Sequence, residues 1–444
     1  MKRTPLGPAV TATGFLFLIL TLHGAVAKAA PVIQHWETPQ GARVYFVPAP
    51  ELPIVDVEVV FDGGSARDGA KGGVSQLTNT LLDDGAGTLD ANALAERFDD
   101  IGAQFSTDAQ RDMATVSLRS LSDDKTLQTA LDTLAIVLRS PTFPEDALKR
   151  ERNRMLTALR AEQQSPEAIA EKAFFKAVYG EHPYANEVLG TPASLAALTR
   201  SDIVSFYGRF YVARNAVIAI VGDLDRARAE SAADQLAAAL ETGTPAPPLP
   251  AVPRLEAANV IHIDHPSTQT HVLIGQPGMK RDDPDYFALY VGNHVLGGSG
   301  LVSRISDEIR EKRGLAYSAY SYFFPMHVAG PFMMGLQTRN EKTDEAIALL
   351  RKTLQTYIDE GPTAAELKAS KQNITGGFPL RLDSNAKIIG NLAVIGFYGL
   401  PLDYLDEFNR RVEAVTVQDI RDAFRRRIDP DDLVTVTVGS GTTN

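Results

Sequence analysis

The sequence predicts an α+β protein built from two similar units, each with helices packed on a mainly antiparallel sheet. Three observations carry that prediction. A proline-rich stretch divides the chain near its middle, short motifs recur on both sides of it at a constant spacing, and both halves mix strand-period with helix-period segments. The stretch from Glu241 to Asn259 contains Pro245, Pro247, Pro248, Pro250 and Pro253, which favours an extended, semi-rigid connector. The repeat is visible where Leu198-Thr-Arg-Ser-Asp-Ile203 matches Val415-Thr-Val-Gln-Asp-Ile420 and Ala216–Gly222 matches Leu433–Gly439; Thr199 and Thr416, like Gly222 and Gly439, lie 217 residues apart.

In chain order, Lys2 and Arg3 precede the apolar run Gly14–Leu22 and the small-residue segment Ala25-Val-Ala27. That is the layout of a secretory signal peptide over 1–27, with cleavage expected after Ala27 and Ala29 as the next candidate. The run is far shorter than the roughly 20 residues a spanning helix needs. The first unit, 28–240, then reads as strands Arg43–Pro48 and Ile54–Asp62 and helices Gly73–Leu82 and Ala91–Ile101. A strand Gln104–Leu118 follows, then helices Asp123–Arg139, Pro144–Gln164, Pro166–Val178 and Arg200–Tyr211, and the apolar strand Ala216–Val221. Beyond the 241–259 connector, the second unit, 260–444, opens with strands Ala258–Asp264 and Thr270–Gln276. It continues through helices Tyr286–Leu296 and Ser303–Lys312 to strand Leu433–Val438.

Composition narrows the function classes. With 44% hydrophobic and 22% charged residues the chain is ordinary for a folded globular protein. The absence of cysteine excludes a lipid-modified N-terminal Cys, disulfides, thiolate metal sites and Cys nucleophiles. Export without a lipid anchor implies a periplasmic location. The net charge of −11 speaks against nucleic acid or an anionic membrane as partner, and loss of Lys2 and Arg3 with the leader makes the chain more acidic still.

The segments Phe61-Asp-Gly-Gly-Ser-Ala-Arg67, Gly73–Thr80 and Val295-Leu-Gly-Gly, with Ser303-Arg-Ile and Arg310-Glu-Lys-Arg-Gly-Leu-Ala-Tyr-Ser318, resemble the insulinase/pitrilysin metallopeptidases. Mitochondrial processing peptidase and the core subunits of respiratory complex III share that family. The resemblance covers nearly the whole chain after the leader, and implies a processing-peptidase-like fold forming half of a clamshell dimer. Active members carry the inverted zinc motif HxxEH, whose two His lie on one helical face and bind one metal, with the Glu as general base on bound water. Here the motif falls on Gln76-Leu-Thr-Asn-Thr80. Gln76 and Thr80 stand for the two His, Asn79 for the base, and the family spacing puts the distant Glu ligand on Thr157. Amide and hydroxyl oxygens are poor zinc ligands beside imidazole and carboxylate, and none of the four accepts a proton near neutral pH. No metal or other cofactor is expected in this chain; the zinc is expected in a partner subunit.

What the family also uses, an Arg and a Tyr that polarise the substrate carbonyl, is matched by Arg310 and Tyr317, seven residues apart. Both donate hydrogen bonds without changing protonation state at neutral pH. The resemblance therefore implies a non-catalytic subunit that lends Arg310 and Tyr317 in trans to a homologous HxxEH-bearing partner, acting on peptides or unfolded chains. An inert peptide-binding or scaffold protein of the same fold, and a self-sufficient peptidase with an altered site, are the alternatives. Other candidates are weaker. His262 and His265, three apart on a strand, face opposite sides of it. His182-Pro-Tyr184 reads as a turn, and Leu296-Gly-Gly-Ser-Gly300 as a hinge or substrate-contacting loop. Gln104–Val116 matches the edge strand along which active relatives lay substrate; with no zinc facing it here, it reads as ordinary sheet structure, with secondary peptide binding as the alternative.

Overall fold

A computed structural model describes residues 31–440; the expected leader over 1–27 lies outside them. The first half contains β1 (Gln34–Glu37), β2 (Arg43–Pro48), β3 (Ile54–Asp62), a two-residue ribbon β4 (Gly85–Ala86) and β5 (Leu89–Asp90), then β6 (Gln104–Ala109), β7 (Met113–Leu121) and β8 (Ala216–Gly222). The second half contributes β9 (Asn259–Asp264), β10 (Gln269–Pro277), β11 (Ala316–Phe323), β12 (Pro331–Arg339) and β13 (Val434–Gly439). Sheet order is β1-β2-β8-β3-β7-β6 in the first half and β11-β12-β10-β13-β9 in the second. Removing β1 and reading the second sheet backwards gives the same arrangement strand for strand. Even the exception to antiparallel pairing repeats, since β2/β8 and β9/β13 are the parallel pairs.

The repeated Thr-x-x-Asp has a local cause. Thr199 and Thr416 each cap a helix, Arg200–Phe210 and Val417–Arg427: the cap hydroxyl accepts the Asp202 or Asp419 N–H, and that Asp carboxylate accepts the cap N–H at 2.8 Å. Such reciprocal caps satisfy two helix-terminal donors at once.

Each sheet is covered on one face by helices of its own half and on the other by a helix of the opposite half. Val57, Val59, Ile218 and Ile220 face the first half's own helices. On the reverse face Val60, Val217, Ala219 and Val221 pack against Ile388, Leu392 and Ile395 of helix Asn385–Tyr398. Reciprocally, Phe174, Phe175 and Val178 of helix Pro166–Tyr179 pack on Leu273, Val434 and Val436 of the second sheet. This exchange is why β8 is buried over all seven residues. The connector carries neither helix nor strand over 241–258 and is tied to the first half, with Arg67 donating to Pro247 O at 2.7 Å and Ala246 N–H to Asn215 Oδ1 at 2.9 Å.

Two expectations need correction. The strand expected over Gln104–Leu118 is a hairpin: the chain turns at Gln110–Asp112, and of its two strands β6 lies at a sheet edge while β7 is internal. The turn has no Asn-Gly or Gly-Gly signal, and its alternation continues through it, so sequence periodicity reads one strand. Helix Tyr286–Leu296 keeps α geometry only to Asn293 and then widens through His294–Gly298, because Gly297 must pass close to the Ser321 backbone; a Cβ there would lie 2.3 Å from Ser321 N.

Candidate functional site

Helix Val74–Thr80 carries Gln76, Asn79 and Thr80, the positions that the family resemblance matches to HxxEH, and here they serve packing and hydrogen bonding. Asn79 is fully buried. Its Nδ2 donates to Asp108 O at 2.7 Å and Thr115 O at 3.2 Å, while its Oδ1 accepts the Tyr211 hydroxyl at 2.9 Å. The amide thus staples the helix to β6 and β7. Gln76 and Thr80, half-buried on one helical face, satisfy each other, Gln76 Nε2 donating to Thr80 Oγ1 at 3.3 Å. Thr157 is not brought into this group by any bond: it is exposed on helix Glu145–Glu162 and donates to Asn153 O of its own helix at 2.9 Å. Beneath the helix start, Asp68 accepts the Gly73 and Ser75 N–H groups at 2.6 and 3.0 Å; burial nonetheless pushes its carboxyl up to about 7. An amide and a hydroxyl bonded to each other, a second amide consumed by the sheet, and a second hydroxyl turned to its own helix do not fit a zinc site. Among the described residues no three His, Cys, Asp or Glu side chains converge as metal ligands would.

Arg310 and Tyr317 are brought together. The helix from Arg304 widens in its last turn, where Lys312 N–H reaches Asp307 O five residues back, and Gly314, at φ +60°, reverses the chain. Gly314 N–H and Leu315 N–H close on Arg310 O and Ile309 O at 2.9 Å. Tyr317 then sits in a bulge between Ala316 and Ala319 of β11, where the register to β12 slips by one. Bulges of this kind re-aim a side chain. The Arg310 guanidinium lies 4.8 Å from the Tyr317 ring centroid, and its Nε is 3.4 Å from Glu311. Tyr317 is 84% exposed, so its hydroxyl faces outward beside a cation. The Arg310 side chain is half-buried, whereas exposing the Tyr317 ring to solvent adds no packing.

Further along β11, starting at Ser318, lies a cleft of about 200 Å³ between helix Pro166–Tyr179 of the first half and the second sheet, lined by Glu167, Glu171, His271, Ser318, Tyr320 and Tyr322. The Tyr320 and Tyr322 rings stack at 5.5 Å and 8°. Burial and then the Glu167 and Glu171 carboxylates raise the Tyr320 hydroxyl above its ordinary pKa, and burial lowers that of His271. Two carboxylates facing two aromatic rings suit a cation. Sequence reasoning missed Glu167 and Glu171, which look like ordinary acids near a helix start; the Tyr-Ser-Tyr alternation was the available signal.

His182 and His262 are structural. His182 Nδ1 accepts the Tyr184 N–H at 3.1 Å and Nε2 donates to Pro250 O at 3.0 Å, so it shapes a turn. His262 Nδ1 pairs with Thr437 Oγ1 at 2.9 Å on β9.

Two family models match the chain, one described as "Insulinase (Peptidase family M16)" over residues 43–192 and one as "Peptidase M16 inactive domain" over residues 197–374. A solved structure of a peptidase M16 inactive domain from Pseudomonas fluorescens is 40% identical, has a TM-score of 0.90, and is matched over 92% of this chain and 98% of its own. The chain belongs to peptidase family M16. Curated M16 relatives of similar length differ in what they are called. The Helicobacter pylori protein named "Non-peptidase homolog YmxG" is 25% identical over 436 residues, 96% of this chain and 98% of its own. The "Uncharacterized zinc protease YmxG" of Bacillus subtilis is 26% identical over 370 residues, 81% of this chain and 87% of its own. Gln76, Asn79, Thr80 and Thr157 fall within the first M16 match, and Arg310 and Tyr317 within the second. The fold and the match to inactive-domain M16 proteins agree with a non-catalytic M16 chain.

Proposed function

We propose that this chain is the substrate-holding subunit of a two-subunit zinc peptidase. A homologous HxxEH-bearing partner supplies metal, water and general base, and this chain closes over the peptide. One observation carries the reading: Gln76, Asn79, Thr80 and Thr157, the positions matched to the metal site, are engaged in hydrogen bonds within the chain, while Arg310 and Tyr317 stand in contact, the Tyr317 ring exposed and Arg310 half-buried beside it. As water attacks, the scissile carbonyl oxygen gains negative charge, and the Arg310 guanidinium and Tyr317 hydroxyl donate to it from the facing shell. A lysine or arginine side chain of the same peptide fits between Glu167 and Glu171 on the rings of Tyr320 and Tyr322. The leader over 1–27 would place this pairing in the periplasm.

The test is hydrolysis of a peptide library by this chain, by the HxxEH partner recovered from the same cells, and by both together. Activity is expected from the pair and not from this chain alone. Arg310→Ala and Tyr317→Phe should each lower turnover by roughly ten- to a thousand-fold, the cost of an oxyanion donor. Unchanged turnover in both variants removes the in-trans role. The name of the Helicobacter relative favours a second reading, an inert peptide-binding protein; peptide affinity without any partner-dependent hydrolysis supports that one instead.

A further inference from the structure

The β6–β7 turn and the β11–β12 turn are equivalent in the repeated topology, and they meet where the two halves join. Asp112 of the first turn is buried. Its Oδ1 accepts the Tyr184 hydroxyl at 2.7 Å, and its Oδ2 accepts the His327 backbone N–H at 2.8 Å and the Tyr398 hydroxyl at 3.0 Å. The Tyr184 hydroxyl accepts the Val328 N–H at 3.2 Å, and the Tyr179 hydroxyl donates to Ala329 O at 3.1 Å. Three consecutive residues of the second half's turn, His327 to Ala329, are therefore gripped by side chains of the first half. Arg111, next to Asp112, closes the knot from the other side, its guanidinium 3.5 Å from the Phe175 ring and its Nε donating to Tyr184 O at 3.3 Å.

The position of this knot gives it consequence. Tyr179 is the last residue of helix Pro166–Tyr179, whose first turns carry Glu167 and Glu171, and β11, which leads into the gripped turn, carries Ser318, Tyr320 and Tyr322. Both walls of the acidic cleft end in the same knot. A buried carboxylate contributes little net stability compared with a well-packed apolar group, but it is directional, and here its donors come from both halves.

We propose that Asp112 is a positioning residue, which holds the β11–β12 turn against the end of helix Pro166–Tyr179 and so sets the width of the cleft between Glu167/Glu171 and Tyr320/Tyr322. The binding half of this proposal rests on the reading of that cleft as a seat for a basic side chain; the distance half does not.

Because the chain has no cysteine, a pair introduced as Lys176→Cys and Arg339→Cys is unique, and pulsed dipolar spectroscopy of spin labels there reads the spacing of helix and sheet. Asp112→Asn and Tyr184→Phe should broaden that distance distribution and leave a control pair within the first half, Lys125→Cys with Lys149→Cys, unchanged. In parallel, each unlabelled variant is titrated with an extended peptide carrying one arginine and with the same peptide carrying alanine. The preference for arginine should fall about fivefold, the size of one lost hydrogen bond. Tyr398→Phe, which removes a single hydroxyl, covers the case in which Asp112→Asn does not fold. An unchanged distribution in folded variants overturns the positioning role. Absence of any arginine preference in the unaltered chain overturns the cleft reading and the binding half, while the label distances still decide whether Asp112 positions the two walls.

Discussion

Asn79 is the position the family resemblance matches to the general base, and its hydrogen bonds account for why its amide can be fully buried. Both ends of the amide are used, by two carbonyls and one tyrosine hydroxyl. Tyr211→Phe leaves the Asn79 Oδ1 without a donor in a buried site, and urea denaturation should show a loss of about 1–3 kcal/mol. Asn79→Glu is expected to destabilise more, by burying a charge with no cation beside it; a gain of stability would contradict the staple. A second residue-scale prediction concerns Glu58 on β3, whose carboxyl is pushed up to about 7 by burial and then by the neighbouring Asp108 and Asp56. In the unfolded chain it ionises near 4.5. Between those values the folded state holds a proton that the unfolded state has released, so stability falls as pH rises through that window. Relative to Glu58→Gln, the unaltered chain should lose on the order of 1 kcal/mol per pH unit there. Parallel pH–stability curves for the two proteins would count against the assignment. Of these residues, Gln76, Asn79, Thr80, Arg310 and Tyr317 are legible in the sequence because their spacing is local. Glu58 and Asp112 are not, since an acid on an alternating strand carries no mark of what covers it.

The exchanged helices set the geometry at the next scale. Helix Asn385–Tyr398 approaches the first sheet so closely that a Cβ on Gly396 would lie 2.6 Å from Val217 Cγ1 and 2.8 Å from the Tyr45 ring. In the opposite half, a Cβ on Gly275 of β10 would meet Phe332 O at 2.0 Å and the Phe174 ring of helix Pro166–Tyr179 at 2.9 Å. Gly396→Val should therefore lower stability by about 1–3 kcal/mol through overpacking, measured as a shift in the urea midpoint at constant slope. Helix and strand periodicity predicts most of these elements, and the reciprocal Thr–Asp caps explain why the repeat survives at Thr199 and Thr416 in particular. What periodicity loses is the hairpin hidden in Gln104–Leu118 and the widened turns after Asn293 and Ser306. Both departures are imposed by neighbours: the turn at 110–112 by its docking onto the second half, and the turn at His294–Gly298 by the passage of Gly297 over Ser321.

The two halves form one folding unit because each completes the other's core. Cutting the connector with a site-specific protease between 241 and 258 should leave a single particle on size exclusion, held by the exchanged helices and the Asp112 knot. Residues 28–240 or 260–444 produced alone should expose an uncovered apolar sheet face and aggregate, and should be recovered as folded protein when produced together. A monomeric, cooperatively unfolding isolated half would refute this interdependence. The acidic cleft depends on the assembly, since one of its walls belongs to each half.

The sequence by itself determined the two-unit plan, the amide and hydroxyl side chains at Gln76, Asn79, Thr80 and Thr157, and the seven-residue spacing of Arg310 and Tyr317, since those are matters of residue type, period and spacing along the chain. Only the tertiary structure decided which helix covers which sheet, that Asn79 is a staple, and that Glu167 and Glu171 face Tyr320 and Tyr322. Those contacts join residues that are far apart in sequence, where neither propensity nor spacing acts, and they exist because two apolar sheet faces can leave water only by sharing helices across the halves.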